Sequence, residues 1–219
     1  MSEPNPRSKS RAKKLRVGVL ASGRGSNLQA ILDAIEAGRL DAQVAVVLCN
    51  KKDAQALERA RRHGLLDVFL DPTPFAGQAD SREAYDRTVL DVLRKHDVEL
   101  VALAGYMRIV TPVLISAYPY RIMNIHPSLL PSFPGLEVQR KALEWGVKIS
   151  GCTVHFVTEG VDEGPIIIQA AVPVLEGDSA DTLAARILAE EHRIYPRAIQ
   201  LYAEGRLLVD GRRVRIAGE

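Results

Sequence analysis

Short apolar runs alternating with amphipathic segments, a glycine-rich turn after the first run, and two long β-like stretches in succession further on predict an α/β fold. The expected architecture is a Rossmann-like, mostly parallel sheet with helices on both faces and an antiparallel far edge. Residues 15–21 read as a strand ending in a Gly/Ser cluster, and 27–37 as the helix that follows, stopped by Gly38. The unit recurs as strand 44–49 with helix 54–63, strand 68–70 with helix 81–96, strand 100–104 with helix 111–117, and strand 122–125. Right-handed crossovers would then line the strand C-termini along one edge, where open α/β sheets bind ligands. After Pro127 the pattern changes. Pro127, Pro131, Pro134 and Gly135 mark a fixed irregular loop, and a short helix over 136–145 follows. Stretches 151–157 and 165–174, joined by loop 158–164, read as antiparallel strands that end near the same rim as the earlier ones. A long amphipathic helix spans 181–203, with Pro196 expected to kink or break it. Residues 207–209 and 213–216 form a hairpin around Asp210 and Gly211.

With 47% hydrophobic and 26% charged residues, the 219-residue chain belongs with globular proteins rather than disordered, collagen-like or membrane-dominated ones. A chain of this length buries enough surface to hold one core without metal or disulfide staples. Its net charge of +2 is too balanced for a nucleic-acid-binding domain, and no apolar stretch approaches the ~20 residues that span a bilayer. Cys49 and Cys152 are far apart, in apolar runs, with neither CxxC nor zinc spacing, so reduced thiols in a cytoplasmic setting are expected. Residues 1–16 carry six basic side chains against Glu3, a balance of +5 that leaves −3 for the rest. The expected organisation is a disordered basic tail over 1–14 and a single domain over 15–219. Apolar helix faces serve core and interface alike, so a homodimer remains open.

Two regions carry chemistry. The first strand runs into Ser22-Gly23-Arg24-Gly25-Ser26-Asn27. The dinucleotide fingerprint fails here: its third glycine position is Leu28, and the second strand ends Leu48-Cys49-Asn50 with no acid for a ribose diol. No Gly-Lys-Ser/Thr of a Walker A loop is present either. Two readings stay open, a plain strand-to-helix turn with Ser26 as N-cap, and a seat for a mononucleotide phosphate with Arg24 as a further cation.

The strand around 122–126 places Asn124 and His126 on one face and Met123 and Ile125 on the other. Two polar side chains in a central apolar strand are costly unless satisfied. They either bond to nearby backbone or form a site. The loop between the two late strands carries Glu159, Asp162 and Glu163. An acid there would pair with His126, favour the imidazolium and raise its pKa. An Asn, His and Asp so grouped suit addition of an amine to a carbonyl, with Asn124 and His126 donating to the developing oxyanion. Serine nucleophile chemistry fits less well, because Ser128 follows Pro127 in an irregular loop without a Gly-x-Ser-x-Gly elbow. The five histidines show no close His-x-x-x-His pair, so no metal is called for.

Gly25-Ser26-Asn27, then Met-Asn-Ile-His-Pro-Ser-Leu-Leu-Pro over 123–131, then His155-Phe156-Val157-Thr158 with Asp162 four residues on, occur in that order. Together with Ser-Arg-Glu-Ala-Tyr-Asp at 81–86 and Leu-Ala-Gly-Tyr-Met-Arg-Ile at 103–109, they make the chain resemble the phosphoribosylglycinamide formyltransferases from about residue 16 to 206. These are folate-dependent enzymes of purine biosynthesis. The resemblance implies formyl transfer from 10-formyltetrahydrofolate, as co-substrate, to the amine of 5'-phosphoribosylglycinamide. It implies that Gly25, Ser26 and Asn27 hold the nucleotide phosphate, that Glu191 binds its glycinamide or ribose end, and that Asn124, His126 and Asp162 are the catalytic group. Met107, Arg108, Ile109 and Val110 would line the folate pocket, largely through backbone. Asn124 with Thr158, Glu159, Gly160, Val161 and Asp162 would form its other wall, and Arg82 would meet the folate's anionic glutamate end. Where the family often has glutamine, this chain has Leu188, and that contact is not carried over. The resemblance also marks Leu130-Pro131 as a candidate cis bond.

Local chemistry alone is blander. Arg82 and Arg108 read equally as solvated cations, Glu191 as surface charge on a helix, His155 as structural and Trp145 as packing. Formyltetrahydrofolate hydrolases and methionyl-tRNA formyltransferases use the same trio, and would carry an added regulatory or RNA-binding domain. An inactive folate- or nucleotide-binding module is the alternative from another class.

Overall fold

In the computed structural model, which describes residues 13–77 and 79–218, the apolar runs become strands and the amphipathic segments helices. Residues 1–12 of the expected basic tail lie outside the described residues. The repeated units are β1 (Leu15–Ala21) with α1 (Ser26–Glu36), β2 (Ala42–Cys49) with α2 (Gln55–Arg62), β3 (Asp67–Phe69) with α3 (Ser81–Lys95), and β4 (Leu100–Leu103) with α4 (Pro112–Ala117). Then come β5 (Ile122–His126), the short α5 (Val138–Glu144), β6 (Ile149–Phe156), β7 (Ile166–Pro173), α6 (Ala180–Ala203), and the hairpin β8 (Leu207–Asp210) and β9 (Arg213–Ile216).

Among the described residues, nine strands share one sheet in the order β3-β2-β1-β4-β5-β6-β7-β9-β8. From β3 to β5 neighbouring strands are parallel, whereas β6 runs antiparallel to β5 and to β7. The chain builds outward from β1 through β2 to β3, then returns to place β4 on the other side of β1. Connections leaving β1 and β4 therefore diverge, and the crevice at such a switch point is where open α/β sheets take ligands.

Two apolar layers hold the sheet. Val17, Val19, Met123 and Ile125 pack with Leu28 and Ile31 of α1 and Leu183 and Ile187 of α6. Leu20, Val101, Leu103 and Ile122 pack on the opposite face with Tyr85, Val89 and Leu93 of α3 and Leu114 of α4. The alternation in β5 follows at once: 123 and 125 serve one core, while 122, 124 and 126 face the other side.

Two details differ from the sequence reading. Helix α6 does not break at Pro196 but runs through it to Ala203. The proline removes one helical hydrogen bond and crowds the carbonyl one turn back, and the neighbouring Tyr195 ties the helix to the sheet, its hydroxyl donating to the carbonyls of Leu103 and Met123 at 3.0 and 2.9 Å. The end of β6 also does not share a rim with the C-terminus of β5. Antiparallel register sets Phe156 opposite Met123 and Thr153 opposite His126, so the loop after β6 leaves from the other end of β5.

Candidate active site

The turn after β1 is built around Gly25, whose φ of 69° lies in the left-handed region. A Cβ there would stand 2.8 Å from the Cα and Cβ of Ala56, so only glycine fits. Ala56 at the head of α2 donates its N–H to the carbonyl of Gly23 at 3.1 Å, and Arg59 donates Nε–H to that of Arg24 at 2.9 Å. The turn is thus clamped by α2. Gly25, not Ser26, is the N-cap of α1, which corrects the plainer reading of this turn. A glycine cap brings no side-chain acceptor, leaving first-turn N–H groups to face an anion.

Asn27 follows directly. It is buried, and its Nδ2–H donates to Glu191 Oε2 at 2.7 Å. Its Oδ1 is buried without a hydrogen-bond partner among the described residues. Glu191 is itself buried, and that burial pushes its carboxyl pKa up despite the Asn27 bond and the charge of Arg24. A surface role for Glu191 is therefore ruled out. It lies one helical turn before Tyr195, whose hydroxyl ties α6 to β4 and β5. A cavity of about 350 Å³ opens beside Ser26, lined also by Gln29, Arg59 and His192.

Asn124, His126 and Asp162 meet, though by a longer route than a shared rim. The loop after β6 folds back over the sheet, and Asp162 adopts a left-handed φ of 57° that aspartate tolerates better than most residues. Its carboxylate reaches His126 Nδ1 at 3.3 Å, His155 Nε2 at 3.6 Å and Asn124 Nδ2 at 3.5 Å, and accepts the Gly135 N–H at 2.9 Å. Desolvation raises the Asp162 pKa, but the flanking imidazole rings and the Gly135 N–H outweigh it, so the net shift is downward. The carboxylate stays ionised.

His126 departs from expectation. Burial is the largest influence and lowers its pKa, against the raising effects of the Phe133 carbonyl and Asp162. Its Nε2 lies 2.9 Å from Phe133 O while Nδ1 faces Asp162. Both nitrogens thus face acceptors, and a neutral ring has only one N–H to give. Only the imidazolium satisfies both contacts, and desolvation opposes it.

His155, taken from the sequence as structural, makes a contact that the sequence did not show. It sits opposite Asn124 in the β5–β6 register, so the two side chains share a face. With Nδ1 2.9 Å from its neighbour's carbonyl at Phe156, its Nε2 is left to accept from Asn124 Nδ2 at 3.2 Å. One Asn124 N–H is thereby fixed and the other, with only a 3.5 Å contact to Asp162, remains to donate. Strand pairing created this contact, and no spacing in the chain announces it.

Loop 104–110 leaves β4 beside Asn124, since Leu103 pairs with Asn124. Met107 and Ile109 expose apolar side chains, as does Val161 on the folded-back loop, while Val110 is buried. Arg108 is not a solvated cation: its guanidinium lies 4.1 Å from the centre of the Tyr85 ring. Tyr85 was not singled out. Arg82 precedes it by one turn of α3 and is exposed. The Leu130-Pro131 bond is cis. Among the described residues no group of three His, Cys, Asp or Glu is placed to hold a metal ion, and no helix is long and apolar enough to cross a membrane.

The chain is similar to known proteins over most of its length. Residues 15–199 match the formyl transferase family. The chain is 48% identical to the phosphoribosylglycinamide formyltransferase of Escherichia coli K12 over 88% of its own length and 89% of the relative's. The fold superposes on glycinamide ribonucleotide transformylase 1 from Symbiobacterium toebii with a TM-score of 0.90 and 59% identity, covering 94% and 95% of the two chains. A formyltetrahydrofolate deformylase from Pseudomonas syringae is more distant, at 30% identity and TM-score 0.84, with 94% of this chain matching 66% of that one. The chain belongs to the formyl transferase family and, within it, to the phosphoribosylglycinamide formyltransferases.

Proposed function

We propose that this enzyme transfers the formyl group of 10-formyltetrahydrofolate to the amine of 5'-phosphoribosylglycinamide by direct attack within one ternary complex. The observation that carries the reading is the meeting of Asn124, His126 and Asp162 in a chain that also offers two candidate seats. One comprises the glycine-capped start of α1 and the unpartnered Asn27 Oδ1 beside Glu191. The other comprises the exposed apolar side chains of Met107, Ile109 and Val161. A phosphate suits the first-turn N–H groups of Ser26 and Asn27. The buried Asn27 carbonyl suits a donor from the ribose or glycinamide end. Met107, Ile109 and Val161, with the backbone of Arg108 and Val110 and of loop 158–160, suit a flat heteroaromatic ring. The exposed Arg82 suits an anionic tail.

The amine attacks the formyl carbon, and the carbonyl oxygen gains negative charge. The Asn124 N–H that makes the long 3.5 Å contact to Asp162 turns to donate to that oxygen. His126 Nε2–H, which rests on the Phe133 carbonyl, is the second donor. Asp162 supports the imidazolium through Nδ1 and accepts the amine's proton directly or through a water. That proton, passed on through His126 or the water on Asp162, reaches the folate nitrogen as its bond to the formyl carbon breaks, so the folate leaves neutral. Mixing enzyme and 10-formyltetrahydrofolate with the glycinamide nucleotide, or with water alone as acceptor, tests the assignment. Formylated nucleotide is the expected product; formate at the same rate with and without nucleotide would indicate a hydrolase.

Two results follow from the geometry. In Asp162→Asn the negative neighbour of His126 is lost, which destabilises the imidazolium and lowers its pKa further. The ring is then protonated only at more acid pH, so the His126 limb of the kcat/KM profile should move to lower pH as the rate falls. An unchanged profile would contradict the coupling. His155→Phe keeps a ring in place but removes the acceptor that orients Asn124. We expect kcat to fall about tenfold with both KM values little changed, since small misplacements of a reacting group cost up to ~10².

A further inference from the structure

Ser22 is 3% exposed and belongs to neither substrate seat, yet it touches the elements that carry both. Its Oγ–H donates to Asn50 Oδ1 at the end of β2, at 2.6 Å. The same oxygen accepts the backbone N–H of Met107 at 2.8 Å. Its own N–H donates to the carbonyl of Gly105 at 3.0 Å. A hydroxyl has one proton and two lone pairs, and Asn50, by taking the proton, turns a lone pair towards Met107. The first residue of the proposed folate wall is thus held by a side chain standing just before the turn that starts α1.

The bonds that hold the turn are different ones. Ala56 N–H binds the carbonyl of Gly23, Arg59 binds that of Arg24, and β1 pairs with β2 through Ala21 and Cys49. None of them uses the Ser22 hydroxyl. Its loss should therefore loosen loop 105–107 and leave the nucleotide turn in place.

We propose that Ser22 is a positioning residue for the folate co-substrate, fixing the Met107 backbone through a hydroxyl oriented by Asn50. The proposal rests on the reading of 107–110 as the folate wall. Losing one such hydrogen bond corresponds to roughly three- to tenfold in affinity.

The test is steady-state kinetics on Ser22→Ala, with titration of tetrahydrofolate and of the glycinamide nucleotide as separate binding measurements. The expected result is a three- to tenfold rise in both KM for 10-formyltetrahydrofolate and Kd for tetrahydrofolate, of the order stated by a single bond, while nucleotide binding is unchanged. Asn50→Ala, at a partly exposed position, should weaken folate in the same direction. The double variant should be no weaker than Ser22→Ala, because the two groups act as one unit. Should Ser22→Ala fail to fold, the folate-selective loss in Asn50→Ala decides the matter. Equal weakening of both substrates, unchanged folate affinity, or additive effects of the two substitutions would overturn the proposal. Failure of the wild type to bind tetrahydrofolate would instead overturn the folate reading itself.

Discussion

Replacing His126 or Asn124 with alanine is expected to lower kcat by at least ~10²–10³, the usual cost of removing one oxyanion donor, while the Kd for the glycinamide nucleotide stays near the wild-type value. The separation of effects has a structural cause. Both side chains leave β5 on the face opposite Met123 and Ile125, whereas the nucleotide seat is made by the head of α1 and by Glu191 of α6. Alanine at 126 removes the ring between Asp162 and Phe133. Alanine at 124 removes the N–H aimed at the carbonyl oxygen and leaves His155 Nε2 without its donor. Stopped-flow single turnover at saturating substrates, with calorimetric titration of the nucleotide, separates the two quantities. A His126→Ala enzyme that turns over at full rate would remove the imidazole from the mechanism.

Gly25→Ala is expected to be equally damaging for the opposite reason, through binding rather than chemistry. The new methyl would stand 2.8 Å from the Cα of Ala56, which is backbone and cannot rotate away. The left-handed φ of 69° adds about 1–2 kcal/mol for a residue with a Cβ. Relief requires the turn to move off α2, and the N–H groups facing the phosphate move with it. We expect nucleotide KM to rise by about 10²-fold or more, folate KM to change little, and thermal stability to fall by about 2 kcal/mol. Calorimetry with the nucleotide and a melting curve check both parts. Wild-type nucleotide affinity in this variant would exclude the turn as the phosphate seat.

Much of this was legible along the chain because it is local. Hydrophobic periodicity placed each strand and α-helix of the parallel half within a few residues, though not the 3-10 turn at Thr73–Phe75, and Asn124 and His126 could be put on one face from alternation alone. The misses have long-range causes. Antiparallel register set His155 beside Asn124, and the sequence does not encode register in any spacing. The folding back of loop 158–164 brought Asp162 to His126 from the far end of β5, and a left-handed aspartate gives little warning of such a turn. Burial reversed the expected shift at His126, because an acid neighbour is visible in a sequence and the depth of an imidazole is not. Helix α6 runs on through Pro196 without a break, and Tyr195 beside it bonds to two strands through carbonyls no local rule identifies.

Direct transfer between two neighbouring seats is tested most plainly by a rapid-quench experiment. Stoichiometric enzyme is mixed with labelled 10-formyltetrahydrofolate, with and without the glycinamide nucleotide, and both the small molecules and the intact protein mass are followed. We expect the label to leave the folate only when nucleotide is present, to arrive on its amine in a single phase, and never to reside on the protein. A burst of tetrahydrofolate without nucleotide, accompanied by a protein heavier by one formyl group, would show a covalent route and contradict the roles given to Asn124, His126 and Asp162.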